Sequence, residues 1–151
     1  MTSTTAWIRP LTEATTGVPL RRDVHGSRCR TSQGLFTAWA VGLGFPDYFG
    51  HNWDAFRDCL HDAVSNAYID TPDQENPPQL AVIVHEAGNL LADEPRNALV
   101  ILLNLLSEAA GDDNAAPRLL LLLDDTPDRL SRLAQRLTDA GYPPAFPGNH
   151  H

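Results

Sequence analysis

Three aspartates, Asp54, Asp58 and Asp62, stand four residues apart near the middle of the chain. Residues four apart lie one above the other on a helix, so the three carboxylates would share one face. Phe56 and Leu60 fall on a different stripe at helical spacing, which gives the same helix an apolar side to bury. The pattern therefore predicts a helix that packs on a core and presents negative charge on its outer side.

An aromatic segment, FPDYFGHN, leads into this helix. It places Tyr48 and Phe49 beside the acidic face, and flat aromatic side chains often anchor protein interfaces. Asn52 is a good N-cap, and Asp54 in the first turn favours the positive end of the helix dipole. Two interpretations are open: a surface for a positively charged partner, or a solvated face in which Asp54 only stabilises the helix and Tyr48 only closes the core.

The acids are concentrated in one part of the chain. Residues 47–75 contain seven acids and one arginine, Arg57, and so carry −6 of the net charge of −8. A field of this sign speeds the encounter with a basic partner and repels nucleic acid. We therefore expect no direct binding of nucleic acid.

Composition indicates a globular protein. A chain of 151 residues with 42% hydrophobic and 20% charged residues is typical of one soluble domain. No apolar run follows a basic N-terminal stretch, and no apolar segment is long enough for a bilayer, so we expect neither a secretory signal nor a membrane segment. Cys29 and Cys59 match no zinc or redox spacing, which predicts reduced thiols and a cytoplasmic location.

A catalytic or metal site is one alternative function, because His51 and His61 flank the aspartates. His51 precedes the helix, however, and His61 points about 60–80° away from Asp58 by helical geometry. The sequence has no H-E-x-x-H motif, phosphate loop or nucleophile elbow. His85 follows an apolar run and is interpreted as a strand-end residue rather than a base. We expect no enzyme activity, no cofactor and no metal.

Strands alternate with helices along the chain, which predicts an α/β fold with a small parallel sheet. Strands are expected at residues 80–85 (LAVIVH), at the five leucines of residues 119–123 and, more weakly, at residues 23–29. Residues 1–17 form an N-terminal arm, in which Trp7 and Ile8 are compatible with a short extra strand or with a loose arm.

Capping residues and apolar stripes predict four helices. Thr31 or Ser32 caps the first, and Asn52 caps the acidic one. Pro95 suits the first turn of the third, and Thr126 caps the last. The expected helical ranges are 32–43, 53–67, 94–110 and 127–140.

The order of elements and the segment FPDYFGHNWDAFRDCL resemble the barstar family of small intracellular ribonuclease inhibitors. The resemblance is strongest over residues 45–60, where a Pro-acid-Tyr-aromatic-Gly loop is followed by Asn, Asp-Ala and Asp-Cys-Leu. It is weaker over residues 24–123. The resemblance implies a three-stranded parallel sheet flanked by helices. We expect a single domain over residues 1–151, with a core of about residues 20–125 and an extra C-terminal helix in the extension 126–151.

In that family the loop and the second helix plug the active-site cleft of a ribonuclease. By position, Asp58 resembles the central acidic anchor, Asp54 its neighbour one turn earlier and Tyr48 the loop aromatic. Glu108 matches a further acidic contact on a later helix. The partner-binding residues that we expect are Tyr48, Phe49, Gly50, His51, Asn52, Asp54, Arg57, Asp58 and Glu108.

Two of these residues depart from the family pattern. His51 stands where an acid is expected, and Arg57 replaces a large aromatic residue and puts a positive charge among the acids. The function implied is inhibition of a basic ribonuclease or related nuclease toxin by an immunity or antitoxin protein that is a monomer when free. The alternative is a non-inhibitory interaction module that binds a regulator or a different toxin.

Overall fold

The computed structural model of the protein describes residues 7–11, 20–45, 52–70, 80–111 and 118–144. Their centre is a parallel sheet in which the strands stand in the order β1-β4-β3-β2. The strands are β1 (Ile8–Pro10), β2 (Leu20–His25), β3 (Leu80–His85) and β4 (Leu119–Asp124). Within these residues, no helix combines the length and the apolar character needed to cross a membrane.

The sheet has four strands, so the expectation of three is wrong. The additional strand is β1, which pairs with β4 in the register Ile8↔Leu121. Trp7 and Ile8 are 4% and 0% exposed, so they cover apolar surface that β4 would otherwise leave open. A three-residue strand shows too little alternation for its sequence to separate it from a loose arm.

Strand β2 (Leu20–His25) begins earlier than expected, and it also ends earlier because the chain turns at Gly26. The sequence favoured residues 23–29, but residues Gly26–Arg28 form a turn of 3-10 helix. A Cβ atom on Gly26 would lie 2.3 Å from the carbonyl oxygen of Glu86, so the turn packs directly on the backbone that follows β3. Only glycine permits this approach.

In the described part of the chain, four α-helices lie within a few residues of the predicted ranges. Thr31 Oγ1 accepts a hydrogen bond from Gly34 N at the start of the first helix, and Pro127 occupies the first turn of the last. Pro95 is the N-cap of the third helix rather than part of its first turn. The helices are α1 (Ser32–Leu43), α2 (Trp53–Asp70), α3 (Arg96–Ala110) and α4 (Pro127–Asp139).

The two central strands form the middle of the core. Every residue from Leu80 to Val84 and from Leu119 to Leu123 is at most 3% exposed. The five consecutive leucines are therefore a strand buried on both faces, as expected for the centre of a parallel sheet. Tertiary burial outweighs the modest strand preference of leucine here.

Helix α2 is held in place by an aromatic cluster that it shares with α1. Phe56 is fully buried, and its ring lies 5.4 Å from that of Trp39 and 5.8 Å from that of Trp53. Phe36 lies 4.9 Å from Trp53 in an edge-to-face arrangement. These contacts fix both the position and the rotation of α2 about its axis, and hence which of its side chains face outward.

Candidate protein-binding surface

The N-terminus of α2 is capped as the sequence predicted. Asn52 Oδ1 accepts a hydrogen bond of 2.8 Å from the backbone N–H of Ala55, and the Asn52 carbonyl accepts one from Phe56 N. The cap satisfies a backbone donor that the first turn leaves free. The predictions for the four residues before it, Tyr48, Phe49, Gly50 and His51, lie outside the described residues.

The outer face of α2 carries the aspartates. Asp54, Asp58 and Asp62 are exposed, whereas Phe56 and Leu60 on the opposite side are 0% exposed. The division of this helix into an apolar side and an acidic face is thus present in the structure. We use "acidic face" below for Asp54, Asp58 and Asp62.

Two residues assigned to the surface contact each other. The Arg57 guanidinium of α2 donates from Nε to Glu108 Oε1 of α3 at 3.1 Å, and its Nη2 donates to the same oxygen. The hydrogen bond from Arg57 holds the pKa of Glu108 below its usual range, and Glu108 in turn raises the pKa of Arg57. Both side chains are about half exposed, at 51% and 43%. The positive charge among the acids therefore has an internal partner on the neighbouring helix.

His61 is a third member of this group. Its Nε2 atom lies 3.9 Å from Glu108 Oε1, too far for a hydrogen bond, and it has no hydrogen-bond partner among the described residues. Arg57 and His61 are four residues apart, which is about one helical turn, so they lie on the same stripe of α2. Glu108 comes near both of them because α3 packs beside α2. We call Arg57, His61 and Glu108 the interhelical cluster.

Asp54 and Asp58 differ from Glu108 in having no such contact. Neither makes a side-chain hydrogen bond or ion pair within the described part of the chain, although the charges of both raise the pKa of Arg57. Their carboxylate oxygens are available to donors from outside. Among the described residues, Asp54 and Asp58 of the acidic face are thus open carboxylates, and the arginine beside their stripe is already paired.

Both cysteine side chains are buried, which makes their thiols poorly reactive. Cys59 lies on α2 at 9% exposure, and burial, with the nearby charges of Asp62 and Asp58, raises the pKa of its thiol. Burial raises the pKa of the Cys29 thiol to about 12. A thiol with a raised pKa carries little of the reactive thiolate at neutral pH. The two cysteines are free, as the sequence predicted.

A second polar cluster lies at the carboxyl edge of the sheet, and the sequence reasoning missed it. His85 Nδ1 is 2.9 Å from Asp124 Oδ2, and His85 Nε2 is 2.8 Å from Asp23 Oδ2. Arg21 binds the same Asp23 through Nε and Nη2. The available signal was that His85 and Asp124 each end an apolar run, which in a parallel sheet brings them to neighbouring strand ends.

We call Arg21, Asp23, His85 and Asp124 the edge cluster, in which the imidazole of His85 lies between two carboxylates. Burial lowers the pKa of His85, but the hydrogen bonds and charges of Asp23 and Asp124 outweigh it, and the pKa lies above its ordinary value. Both ring nitrogens are occupied by carboxylates. Within the described ranges, no three His, Cys, Asp or Glu side chains are arranged to hold a metal ion. His85 therefore joins β2, β3 and β4 at their ends.

Two solved structures resemble the fold as a whole. They are the Aeropyrum pernix ORC2 protein in ADPNP-ADP complexes and the same protein in its ADP form. Each is 20% identical and matches 88% of this chain, with TM-scores of 0.53 and 0.54. The chain spans about a third of the length of these structures, at 32% and 33%. At this identity the likeness concerns the arrangement of strands and helices alone.

Comparison with sequences gives a more specific result. No curated protein matches the chain. The family model described as Barstar (barnase inhibitor) matches residues 21–125, more than two thirds of the chain. That range includes almost all of strand β2, strands β3 and β4, helices α1 to α3 and both polar clusters. The chain therefore belongs to the barstar (barnase inhibitor) family.

Proposed function

We propose that the chain inhibits a ribonuclease by seating α2 and the segment before it in the active-site cleft of that enzyme. The observation that carries the proposal is the pair of open carboxylates, Asp54 and Asp58, one turn apart on a helix whose opposite side is buried. Ribonuclease active sites hold cationic groups that bind phosphate. A carboxylate placed at the phosphate position accepts charge-assisted hydrogen bonds from the same donors.

The supports of α2 favour tight binding. The Asn52 cap, the aromatic cluster and the Arg57–Glu108 contact hold the helix in one orientation before a partner arrives. Less ordering is then required on binding, and less of the interaction free energy is lost to it. In this proposal Tyr48, Phe49, Gly50 and His51 extend the contact surface beyond the N-terminus of α2.

The distribution of charge fits a basic partner. The stretch with the acidic face carries most of the net charge of −8, so a basic enzyme is attracted before contact. This attraction raises the association rate and weakens as salt is added, because mobile ions screen it. We propose that the protein acts in the cytoplasm of the cell that makes the ribonuclease, as an immunity or antitoxin protein and without a cofactor.

The proposal is tested with barnase, which the family description names, and with any ribonuclease whose gene lies next to that of this chain. The purified chain is titrated against each enzyme while hydrolysis of an RNA substrate is followed. We expect stoichiometric loss of activity of at least one enzyme, and a 1:1 complex of the two proteins on size exclusion. Full activity of both enzymes at a large excess of the chain would end the inhibitor proposal.

One observation favours the second candidate, a non-inhibitory interaction module. Glu108, a carboxylate that the family resemblance assigns to the partner, is bound by Arg57 instead. A surface altered in this way suits a partner other than a ribonuclease active site. Formation of a stable complex in which the nuclease keeps its full activity would favour this candidate, whereas complex formation with loss of activity favours inhibition.

A further inference from the structure

A groove lies between helix α1 and the carboxyl end of β2 with the turn that follows it. Its volume is about 440 Å³, within the range of pockets that hold small molecules. Two glycines of α1 bring its walls together: a Cβ atom on Gly34 would overlap the Arg28 carbonyl oxygen, and one on Gly42 would lie 2.9 Å from Val24 Cγ2. These two contacts are eight residues, or about 12 Å, apart along the helix. The groove is therefore preformed along two turns of α1.

Part of the groove is apolar. We call Val24, Ala38 and Val41 the apolar lining. Val24 is 2% exposed, whereas Val41 is 81% exposed and is the large hydrophobic residue that the described ranges leave in water. A ligand with an apolar body would cover this surface, and the removal of apolar area from water favours binding.

Arg28 adds a cation without a partner to the lining. Its side chain is exposed and makes no hydrogen bond or ion pair with any residue that the structure describes. The carboxylate in the lining, Asp23, is by contrast already bound by Arg21 and His85. Residues 20–30 contain four arginines and one acid, a formal charge of +3 in a chain whose net charge is −8. The charge of the groove therefore suits an anion.

We propose that the groove binds a small organic acid, whose apolar body lies on the apolar lining and whose anionic group is held by Arg28. A carboxylate matches the fork of a guanidinium and accepts two parallel hydrogen bonds from it. A mostly apolar surface with one or two polar groups that fix orientation is typical of small-molecule sites, and α/β folds commonly bind ligands at the carboxyl ends of their strands. The site is independent of ribonuclease inhibition, because no residue of α2 lines the groove.

Two dyes that share one apolar body test the proposal. Anilinonaphthalene sulfonate carries an anionic group, and phenylnaphthylamine is the same body without it. Each dye is titrated with the native chain, and dissociation constants are taken from fluorescence. We expect one site per chain for the anionic dye and an affinity about tenfold or more above that of the neutral dye. The anionic dye should also raise the temperature of unfolding, because a ligand that binds only the folded state stabilises it.

Three variants locate the site. Arg28→Gln should weaken binding of the anionic dye about tenfold and change binding of the neutral dye less than about twofold. Arg22→Gln is the matched control, because it removes one charge from the same segment but does not line the groove. It should bind both dyes like the native chain. Ala38→Leu fills the groove and should weaken binding of both dyes, and thermal unfolding shows whether each variant is folded.

Several results would overturn the proposal. Equal affinities for the two dyes would show that the groove accepts an apolar body without regard to charge. Equal effects of Arg28→Gln and Arg22→Gln would show that net charge attracts the dye. A lowered temperature of unfolding would show adsorption to a partly unfolded chain. Absence of binding by either dye also contradicts the proposal; a dimer on size exclusion at that concentration would then identify a second copy as the occupant.

Discussion

At the scale of single residues, the contact of Glu108 with Arg57 limits how Glu108 can contribute to the binding of a partner. The resemblance assigns it to the partner, but in the free chain both bonding nitrogens of Arg57 lie on one of its oxygens. A carboxylate held in this way can contribute to binding only by giving up that pair. Asp54 and Asp58 make no comparable pair among the residues that the structure describes.

Glu108→Gln should therefore affect inhibition less than Asp58→Asn does. The substitution keeps the size of the side chain and removes the charge that holds Arg57, so we expect a change in the inhibition constant of about threefold or less. The measurement is the inhibition constant against the ribonuclease that the native chain inhibits. An effect as large as that of Asp58→Asn would show that Glu108 contacts the enzyme directly, contrary to our account.

Only part of the interhelical cluster could be predicted from the sequence, namely that Arg57 and His61 lie near each other on α2. The helical spacing of Arg57 and His61 shows that they share a stripe. Their contact with Glu108, however, depends on how α3 lies against α2, and nothing local to either helix specifies that distance. For this reason Arg57 looked like an unexplained cation within the acidic segment until the packing of the two helices was known.

At the scale of elements, the sequence described the orientation of α2 well, although the helix runs to Asp70 and not only to about residue 67. Its N-cap, its buried stripe and its acidic face follow from residue types and spacing, because one strong apolar stripe leaves little choice of orientation. Strand β1 and the end of β2 were harder to predict. The first is too short for a pattern, and the second ends at Gly26 because of close contact with a distant backbone segment.

Phe56→Ala should destabilise the whole protein and abolish inhibition only through that loss. Phe56 is fully buried among the rings that connect α2 to α1, and removal of a buried phenylalanine costs about 3–5 kcal/mol. Urea unfolding gives the change in the free energy of unfolding. Phe56→Leu, a milder change, should remain folded and inhibit normally; loss of inhibition in that folded variant would mean that Phe56 contacts the enzyme.

The edge cluster should make stability depend on pH in two opposite directions. The pKa of His85 is raised, so its contribution is complete below about pH 6.5 and is lost as the pH rises through the folded-state value. The hydrogen bond from Arg21, with His85, lowers the pKa of Asp23 to about 2, so its contribution is complete above about pH 4 and is lost toward pH 2.

Thermal unfolding of the native chain and of His85→Gln over a range of pH tests this dependence. We expect the native chain to lose stability as the pH rises above about 6.5, and the variant to show a flatter curve there. The ring of His25 lies 5.3 Å from that of His85 and remains in both proteins. Parallel curves for the two proteins above neutral pH would contradict the role given to His85.

At the scale of the whole molecule, a buried leucine-rich sheet carries a helix whose outer side is acidic. The α/β class could be predicted from the alternation of strands and helices. The number of strands could not, because it depends on the pairing of β1 with β4. We propose that residues 126–144 are part of the same domain. Leu133 and Leu137 of α4 are buried, and Arg136 Nη2 donates to the Leu90 carbonyl at 2.8 Å.

The central claim is that carboxylates on α2 block the active site of a ribonuclease. Its most direct test is the inhibition constant of Asp58→Asn against the ribonuclease that the native chain inhibits, with Asp128→Asn, a change at an exposed aspartate on α4, as the control. We expect Asp58→Asn to weaken inhibition about 30-fold or more, because an enzyme cation is left buried without its partner. Asp128→Asn should inhibit like the native chain, and both variants should unfold within a few degrees of it. Equal inhibition by Asp58→Asn and the native chain would contradict the account.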